Sequence, residues 1–370
     1  MSPSFANVAR FILFIGAAVT SVRATLCENP SVRREWRELS DHERAEWIAA
    51  VNCLSTQPHD PNLAATQPEN ISLIPPVNPD SSYYDDLVYL HMDLNPVVHF
   101  TGLFLPWHRY FVKHFENSLR DKCGYTGVTP YWDWTLDSFD TEHSAMFDDN
   151  EVCGLGGWGD PDDDIQITTG GFKDAVRVYP SPHRIRRSYN LQPLENIPNP
   201  FPNDPLAPPV DPTVLINGSF TQANYDFLSN GFLGDFRGFQ AYLEGPQGTH
   251  GGPHLIMGGD MTGFCPDGTG APDCYAGPKW TPNDPMFYLH HAMIDRLWAQ
   301  WQLVAPQNAL SFAGGSVQAR ETYEIYQTYP NGGPPFLHFG SVLPSDGLWE
   351  DVTVFDVMNT RSEILCYTYE

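Results

Sequence analysis

Apolar residues recur at helical spacing in two long stretches of the chain. Residues 106–122 form the first stretch, and one face of it carries His108, Val112, Phe115 and Leu119. The second stretch opens at Asp284-Pro285, a pair that suits the N-cap and the first position of a helix. Its apolar stripe carries Phe287, His291, Ile294 and Trp298. Both patterns predict amphipathic helices, and each helix places a histidine on its buried face.

Four shorter segments also carry helix signals. Each has a capping residue, a helix-breaking proline or an apolar face of its own. The predicted segments are 32–39 capped by Ser31, a helix from the capping box Ser40-Asp41-His42-Glu43 toward Cys53, 83–91 with an interruption at Asn95-Pro96, and 220–229.

Strand signals are sparse, and the best of them is the short piece 165–168. Residues 57–82 and 148–220 are rich in Pro, Asn, Asp and Gly and show no sustained periodicity. Because 148–220 has too few apolar positions for a core of its own, it predicts a long surface loop rather than a second domain. We therefore expect a single, mainly α domain with long irregular loops and little β structure.

Composition allows a sizeable core, since 41% of the 370 residues are hydrophobic. Asp and Glu number 45 against 20 Lys and Arg, which gives a formal charge of −25. A polyanion repels nucleic acid and anionic lipid surfaces, so we expect neither as a partner. The charge fits a soluble protein in an acidic or extracellular setting.

The N-terminus has the pattern of a secretory signal peptide. Arg10 precedes an apolar run over 11–19, and Val22-Arg23-Ala24 offers small residues for cleavage. The run is too short to cross a bilayer as a helix. We expect residues 1–24 to be removed and residues 25–370 to be secreted. The sequons at Asn70 and Asn217 agree with export, although each is weak on its own.

Seven cysteines in an exported chain indicate disulfides rather than thiol chemistry. Cys265 and Cys274 enclose a short loop and are the favoured pair. Two further bridges are expected among Cys27, Cys53, Cys123 and Cys366, with their connectivity open. Cys153 is then the odd cysteine. No C-x-x-C occurs, so neither a thiolate zinc site nor a redox dithiol is supported.

Six of the thirteen histidines form two groups. His91, His99 and His108 lie within eighteen residues of one another. His250 and His254 are four residues apart and would share one face of a helix. Such a helix is possible if it begins at His250, because Pro253 then lies in the first turn, where an amide proton has no partner within the helix. His291 lies on the inward stripe of its own helix. Neutral imidazoles that converge on an apolar face predict a metal site.

The other histidines have more ordinary interpretations. His290 is turned about 100° from His291, and it is either a donor behind a ligand or an ordinary helix residue. His114 faces away from His108. Five further histidines lie in polar or loop settings and are expected to be solvated: His42, His59, His143, His183 and His338.

Both groups resemble the two copper signatures of the tyrosinase, catechol oxidase and haemocyanin superfamily. The first signature reads His99-x4-Phe104-Leu105-Pro106-Trp107-His108-Arg109-x2-Val112-x3-Glu116, and the second reads Asp284-Pro285-x-Phe287-Tyr288-x2-His291-x3-Asp295. Residues 29–36 are similar to the start of short fungal members, and Tyr367-x-Tyr369 is similar to the tyrosine motif that closes their catalytic domain. Larger fungal relatives add a C-terminal shielding domain, so we expect a short-type protein or one without that tail.

The resemblance implies a central four-helix bundle around two copper ions that bind dioxygen. One copper would be held by His91, His99 and His108, and the other by His250, His254 and His291. Many relatives link a ligand histidine to a cysteine through a thioether. No cysteine lies between Cys53 and His99, so no such link is expected here.

The resemblance also assigns residues at the mouth of the site. Tyrosinases are thought to deprotonate monophenols through a water held by a Glu and an Asn. Glu244 matches that Glu, with a surface carboxylate as the alternative, while Gly251 stands where the Asn would be. Leu255 would pack over the aromatic ring of the substrate. The missing Asn favours oxidation of o-diphenols over hydroxylation of monophenols.

Three alternatives remain at this point. The chain could be a true tyrosinase that hydroxylates monophenols efficiently, a reversible dioxygen carrier of the haemocyanin kind, or a zinc hydrolase using the same histidines. Small phenols are the expected partners. The natural phenol and the oligomeric state do not follow from the sequence.

Overall fold

The structure, a computed structural model, describes residues 26–67, 73–196, 201, 204–207, 211–245, 248–271 and 273–370. The expected signal peptide and the Asn70 sequon lie outside these residues. Helices dominate the described part. They are α1 Asp41–Leu54, α2 Tyr83–Val98, α3 Phe104–Cys123, α4 Gln222–Asn230, α5 Phe236–Glu244, α6 Gly251–Met257, α7 Gly259–Thr262, α8 Met286–Val304 and α9 Tyr323–Thr328.

Strands form only two-stranded pairs in the described residues. The strands are β1 Ser31–Arg33, β2 Val176–Arg177, β3 His183–Arg184, β4 Gly315–Val317, β5 Gly333–Phe336 and β6 Tyr367–Tyr369. β1 pairs in parallel with β6, while β2 with β3 and β4 with β5 are antiparallel. The expectation of a mainly α domain with long loops is therefore confirmed. None of the described helices is both long enough and apolar enough to cross a membrane.

The core lies where α3 crosses α8. Phe115 of α3 stacks on Tyr288 of α8 with ring centroids 3.6 Å apart, and Trp47 of α1 meets Phe115 edge to face at 6.3 Å. Burial of such aromatic residues supplies much of the stabilisation of a core. Helices α2, α3, α6 and α8 all contribute histidines to the same interior region.

Helix starts follow the capping chemistry in the sequence. Ser40 and Glu43 form the predicted capping box at α1. Helix α8 begins one residue later than predicted, with Pro285 at its N-cap, and the Asp284 carboxylate accepts a hydrogen bond from the Met286 amide at 3.0 Å. His250 stands at the start of α6, which leaves Pro253 in the first turn of that helix.

Two helix predictions are wrong. Residues 31–33 form strand β1, and a short 3-10 turn follows at Trp36–Glu38, because parallel pairing with β6 overrides the local helix signal. Helix α2 continues through Asn95-Pro96 to Val98. Pro96 lies in its last turn, so only the end of the helix has to accommodate the missing amide proton.

The cysteine predictions are confirmed. Disulfides join Cys27 to Cys366, Cys53 to Cys123 and Cys265 to Cys274, and Cys153 is free and buried. The Cys27–Cys366 bridge lies beside the β1–β6 pair, so the two ends of the domain are joined both covalently and by backbone hydrogen bonds.

A buried charge network fixes this pair to the helices of the core. Asp295 of α8 accepts hydrogen bonds from the Tyr367 and Tyr369 hydroxyls and from the Arg109 guanidinium of α3. Arg33 of β1 lies 3.5 Å from both Asp295 and Glu116. The tyrosines near the end of the domain thus contact the turn of α8 that follows His291.

Candidate metal centre

The first histidine group converges from two helices and the loop between them. His91 comes from α2, His108 comes from α3, and His99 follows the last residue of α2. The His99 ring centroid lies 5.1 Å from that of His91 and 4.9 Å from that of His108. At most 6% of any of these residues is exposed. The predicted trio is therefore together in the interior.

Backbone carbonyls set the tautomers in this group. Nδ1 of His91 donates to the Lys279 carbonyl at 2.6 Å, and Nδ1 of His108 donates to the Phe104 carbonyl at 2.8 Å. A ring that donates through Nδ1 keeps a lone pair on Nε2. Both Nε2 atoms are buried and have no hydrogen-bond partner in the part of the chain that the structure describes. The group therefore presents nitrogen lone pairs to one point.

The second group comes from α6 and α8. The His250 ring centroid lies 4.9 Å from His254 and 5.2 Å from His291. Nδ1 of His254 donates to the Met261 carbonyl at 2.8 Å. Gly252 lets α6 approach the turn Ile216–Phe220, because a Cβ there would lie 2.1 Å from the Ser219 hydroxyl oxygen. The sequence Gly-Gly-Pro, unusual inside a helix, thus allows close packing at this site.

The two groups face each other. The ring centroids of His108 and His291 are 4.4 Å apart and nearly parallel, and those of His99 and His250 are 6.1 Å apart. Two phenylalanines line the same space: Phe104 lies 4.8 Å from His250, and Phe287 lies 4.1 Å from His291. The result is one interior space with imidazoles on two sides.

Burial keeps these imidazoles neutral. It lowers the pKa of His91 to about 3 and that of His254 to about 4. Burial, with neighbouring histidines adding to it, also lowers the pKa of His99, His108, His250 and His291 well below the usual value. Metals bind the neutral form of histidine, so the groups are in the protonation state that coordination requires.

The donor set fits a pair of metal ions. Nε2 of His91, His108 and His250 and both ring nitrogens of His291 are buried with no hydrogen-bond partner among the described residues. An unpartnered buried polar atom costs about 1–3 kcal/mol, so several in one pocket need an occupant. Three imidazoles leave an open coordination position on each ion, as expected for copper or a catalytic zinc rather than for a closed structural site.

His290 is buried and belongs neither to solvent nor to an ordinary helix face. Its ring stacks on His250 at a centroid distance of 5.5 Å and meets His254 at 4.7 Å. Its potential ligand atom lies within 4.8 Å of those of His250, His254 and His291. Neither of its ring nitrogens has a hydrogen-bond partner within the described residues, so it does not act as a donor behind a ligand and instead offers a further nitrogen beside the second set.

Glu244 lies at the end of α5 and is only 5% exposed, so the alternative of a surface carboxylate is wrong. Its Oε1 accepts from the Phe100 amide at 2.6 Å, and its Oε2 accepts from Gln240 Nε2 at 3.1 Å. Phe100 has a φ of 52°, a costly conformation for a residue with a side chain. Glu244 thus stabilises the turn that follows His99.

Gly251 and Leu255 lie on one face of α6. A Cβ at Gly251 would meet only Leu255 Cδ1, at 3.9 Å, so the position has room for a side chain. Leu255 is half-buried and packs against the core. Both residues follow ligand candidates directly, which places them at the edge of the second group.

Two of the histidines expected in solvent are engaged instead. Nε2 of His183 lies 3.1 Å from Asp260, and that side chain is 3% exposed. Nδ1 of His59 lies 2.6 Å from Asp86. The acidic partners are distant in sequence, so local polarity gave no sign of these pairs. Asp260 belongs to α7, whose Met261 carbonyl orients His254.

The His183–Asp260 pair makes a prediction about pH. Burial opposes protonation of His183, but the charge and hydrogen bond of Asp260 outweigh it and raise the pKa of the imidazole. Because the pKa of His183 is higher in the folded than in the unfolded protein, protonation of His183 stabilises the fold. This stabilisation is complete below the unfolded-state pKa of about 6.5 and is lost as the pH rises through the folded-state pKa. His183→Gln should therefore cost more unfolding free energy near about pH 5.5 than near about pH 8.5. Urea titrations of both proteins at the two pH values measure this, and a cost independent of pH would contradict it.

The chain is similar to known proteins in both sequence and structure. The sequence model described as the common central domain of tyrosinase matches residues 81–304. The chain is 32% identical over 348 residues to tyrosinase ustQ of Aspergillus flavus. That alignment covers 93% of this chain and 80% of the relative. It is also 30% identical over 362 residues to tyrosinase-like protein phomQ1' of Diaporthe leptostromiformis. This second alignment covers 93% of this chain and 81% of that relative. A polyphenol oxidase structure from Thermothelomyces thermophila superposes with a TM-score of 0.62 at 26% identity, over 92% of this chain and 89% of that one.

Proposed function

Because this chain belongs to the tyrosinase family, and is thereby a copper oxidoreductase, we propose that it oxidises o-diphenols to o-quinones with dioxygen. Two diphenols and one dioxygen give two quinones and two waters. The observation that carries the proposal is the pair of buried, neutral imidazole groups that face each other. The proposed ligands are His91, His99 and His108 for one copper and His250, His254 and His291 for the other.

When bound, the copper pair supplies the exchange of electrons between phenol and dioxygen. The chain supplies position and exclusion of water. The carbonyls of Lys279, Phe104 and Met261 hold three of the rings in one tautomer. Phe104 and Phe287 keep the surroundings apolar, which protects reactive species from side reactions.

The preference for diphenols rests on the lack of a competent base. Burial raises the pKa of Glu244 to about 8, although the Phe100 amide and Gln240 oppose the shift. A carboxyl with a pKa near 8 is mainly protonated at neutral pH, so little of it is ionised to take the proton of a monophenol. Gly251 offers no side-chain amide to position a water. A diphenol ionises more readily and depends less on such a base.

The alternative is a true tyrosinase. The burial of Glu244 beside the turn after His99 favours it, since a carboxyl in that place could serve as a base at higher pH. A lag phase with tyrosine that is shortened by added catechol would support this alternative.

A substrate panel on copper-loaded protein tests the proposal. Catechols, 4-substituted phenols and 2-methoxyphenols are compared by oxygen consumption and quinone absorbance. Turnover of catechols well above that of phenols is expected. If protein with two coppers per chain does not turn over catechols, the proposal is overturned and reversible dioxygen carriage is the remaining interpretation. Protein that binds zinc tightly and does not bind copper would indicate a hydrolase.

Gly251→Asn tests the assignment at the mouth of the site. The new amide has room, since a Cβ there meets only Leu255 at 3.9 Å. Above about pH 8, where Glu244 is ionised, the amide would help hold a water near that carboxylate, and we expect the ratio of monophenol to diphenol turnover to rise about tenfold there. Initial rates with tyramine and dopamine measure that ratio. Gly270→Asn, at an exposed glycine whose Cβ would meet nothing within 4 Å, is the matched control. A ratio that rises equally in both variants, or in neither, would refute the assignment.

We also infer that the protein acts outside the cytosol. Three disulfides are stable in an oxidising compartment, and the N-terminal pattern is that of a secreted chain. Small phenols remain the proposed partners, without nucleic acid or membrane. The Asn217 amide donates to the Ser138 carbonyl at 2.8 Å, and the one N–H that a glycosylated asparagine keeps could still make this bond.

A further inference from the structure

Arg320 carries a positive charge beside the first histidine group, and no acidic residue within the described ranges forms an ion pair with it. Its guanidinium carbon lies 4.1 Å from the centre of the Phe100 ring, and Phe100 directly follows His99. Gln318, two residues before it, donates to the His99 carbonyl at 2.9 Å. The segment that carries Arg320 is thus fixed against the loop that carries a proposed copper ligand.

Arg320 is half-buried, and within the described residues it makes no hydrogen bond or ion pair. Other arginines shielded from water have acceptors: Arg187 makes two bonds of 2.6 and 2.9 Å to Asp284. A partly desolvated guanidinium without an acceptor loses hydration, and no hydrogen bond or ion pair compensates for the lost free energy. Phe100 covers one face of the planar group, and that contact leaves the in-plane N–H donors free.

Glu244 does not serve as that acceptor. Its oxygens accept from Phe100 and Gln240, and no contact within 4 Å joins it to Arg320. Burial comes first among the causes that lower the pKa of Arg320, and the charge of Glu244 opposes that shift, so the two groups interact only at longer range. The N–H donors of Arg320 therefore remain available to a ligand.

Aromatic residues flank this position. The Tyr326 hydroxyl would lie 3.7 Å from a Cβ at Gly245, the residue after Glu244. Phe201 stacks obliquely on Tyr326 at a centroid distance of 5.3 Å. An aromatic surface with one guanidinium suits a ligand that has an aromatic ring and an anionic group.

We propose that Arg320 binds the carboxylate of a phenolic acid whose ring enters the dicopper site, so that diphenols bearing a carboxylate side chain are the preferred substrates. This inference rests on the proposed function. In a chain with a formal charge of −25, an anionic substrate is repelled by most of the surface. A local guanidinium is therefore needed for such a substrate to be selected, and its fork of N–H donors matches a carboxylate.

Paired substrates test the proposal in copper-loaded protein. The kcat/KM for 3-(3,4-dihydroxyphenyl)propanoate is divided by that for uncharged 4-methylcatechol. Arg320→Gln should lower this ratio about tenfold through KM, the size expected for one charged hydrogen-bonded contact. Arg320→Lys should retain part of it. Arg361→Gln removes the same charge at an exposed arginine and should leave the ratio unchanged.

A binding measurement separates failure of this inference from failure of the proposed function. Calorimetry compares 3-phenylpropanoate with its neutral amide, neither of which is oxidised. Wild-type protein should bind the carboxylate about tenfold more tightly than the amide, and Arg320→Gln should remove that difference. If the wild-type protein turns over no catechol, the proposed function fails while this comparison still decides the role of Arg320. Equal loss for acid and amide, or no loss, would overturn the inference.

Discussion

His108→Gln is expected to abolish diphenol oxidation, lowering the rate by about three orders of magnitude or more. His108 supplies a buried Nε2 to the first group and faces His291 across the pocket at 4.4 Å between ring centroids. Glutamine has similar length but no imidazole nitrogen, so one copper should be lost or held weakly. Metal analysis should find about one copper per chain, and hydrogen peroxide should no longer produce a near-ultraviolet absorption band.

His114→Gln is the matched control on the same helix. The His114 ring faces away from the pocket, and its Nε2 lies 2.9 Å from the Tyr83 hydroxyl, a bond that glutamine can replace. This variant should keep two coppers, the absorption band and the catechol rate. Full copper content and activity in His108→Gln would refute the ligand assignment, whereas loss in both variants would point to a folding defect of α3.

Asp295→Ala is expected to lower the free energy of unfolding by about 3–5 kcal/mol. Asp295 is the shared acceptor of the Arg109 guanidinium and the Tyr367 and Tyr369 hydroxyls, and Arg33 lies 3.5 Å away. Removing the carboxylate leaves Arg109 and Arg33 buried with their charges less compensated, which costs more than the lost bonds alone.

Urea unfolding of the metal-free proteins measures this effect, so that changes in copper binding do not enter. Asp351→Ala, at an exposed aspartate, controls for loss of a negative charge and should stay within about 0.5 kcal/mol of the wild type. A cost below about 1 kcal/mol for Asp295→Ala would mean that the network is held by its other members.

The sequence predicts those parts of the fold that depend on local chemistry. Capping by Ser40, the Asp284-Pro285 pair and the apolar stripe of α3 are local, and they locate three helices. The histidines converge as predicted because helical spacing and motif order place them on inward faces. The wrong helix at 32–39 has the opposite cause: Ser31–Arg33 pairs with residues more than 330 positions away.

The surroundings of the site were less accessible from the sequence. The acceptors that orient His91 and His254 are main-chain carbonyls of Lys279 and Met261, and any residue type could supply them. His183 and Arg320 depend on neighbours from distant segments. Periodicity carries no information about such contacts.

His99 lies between α2 and α3, and Gln318 and Glu244 hold its loop from distant parts of the chain. Gly102 and Gly314 bring the backbones together there, since a Cβ at Gly314 would lie 2.5 Å from the Gly102 Cα. Natural variation or laboratory evolution in residues 314–328 should therefore alter the reactivity of one copper together with the choice of phenol, while the segments that carry the other five ligand candidates stay unchanged.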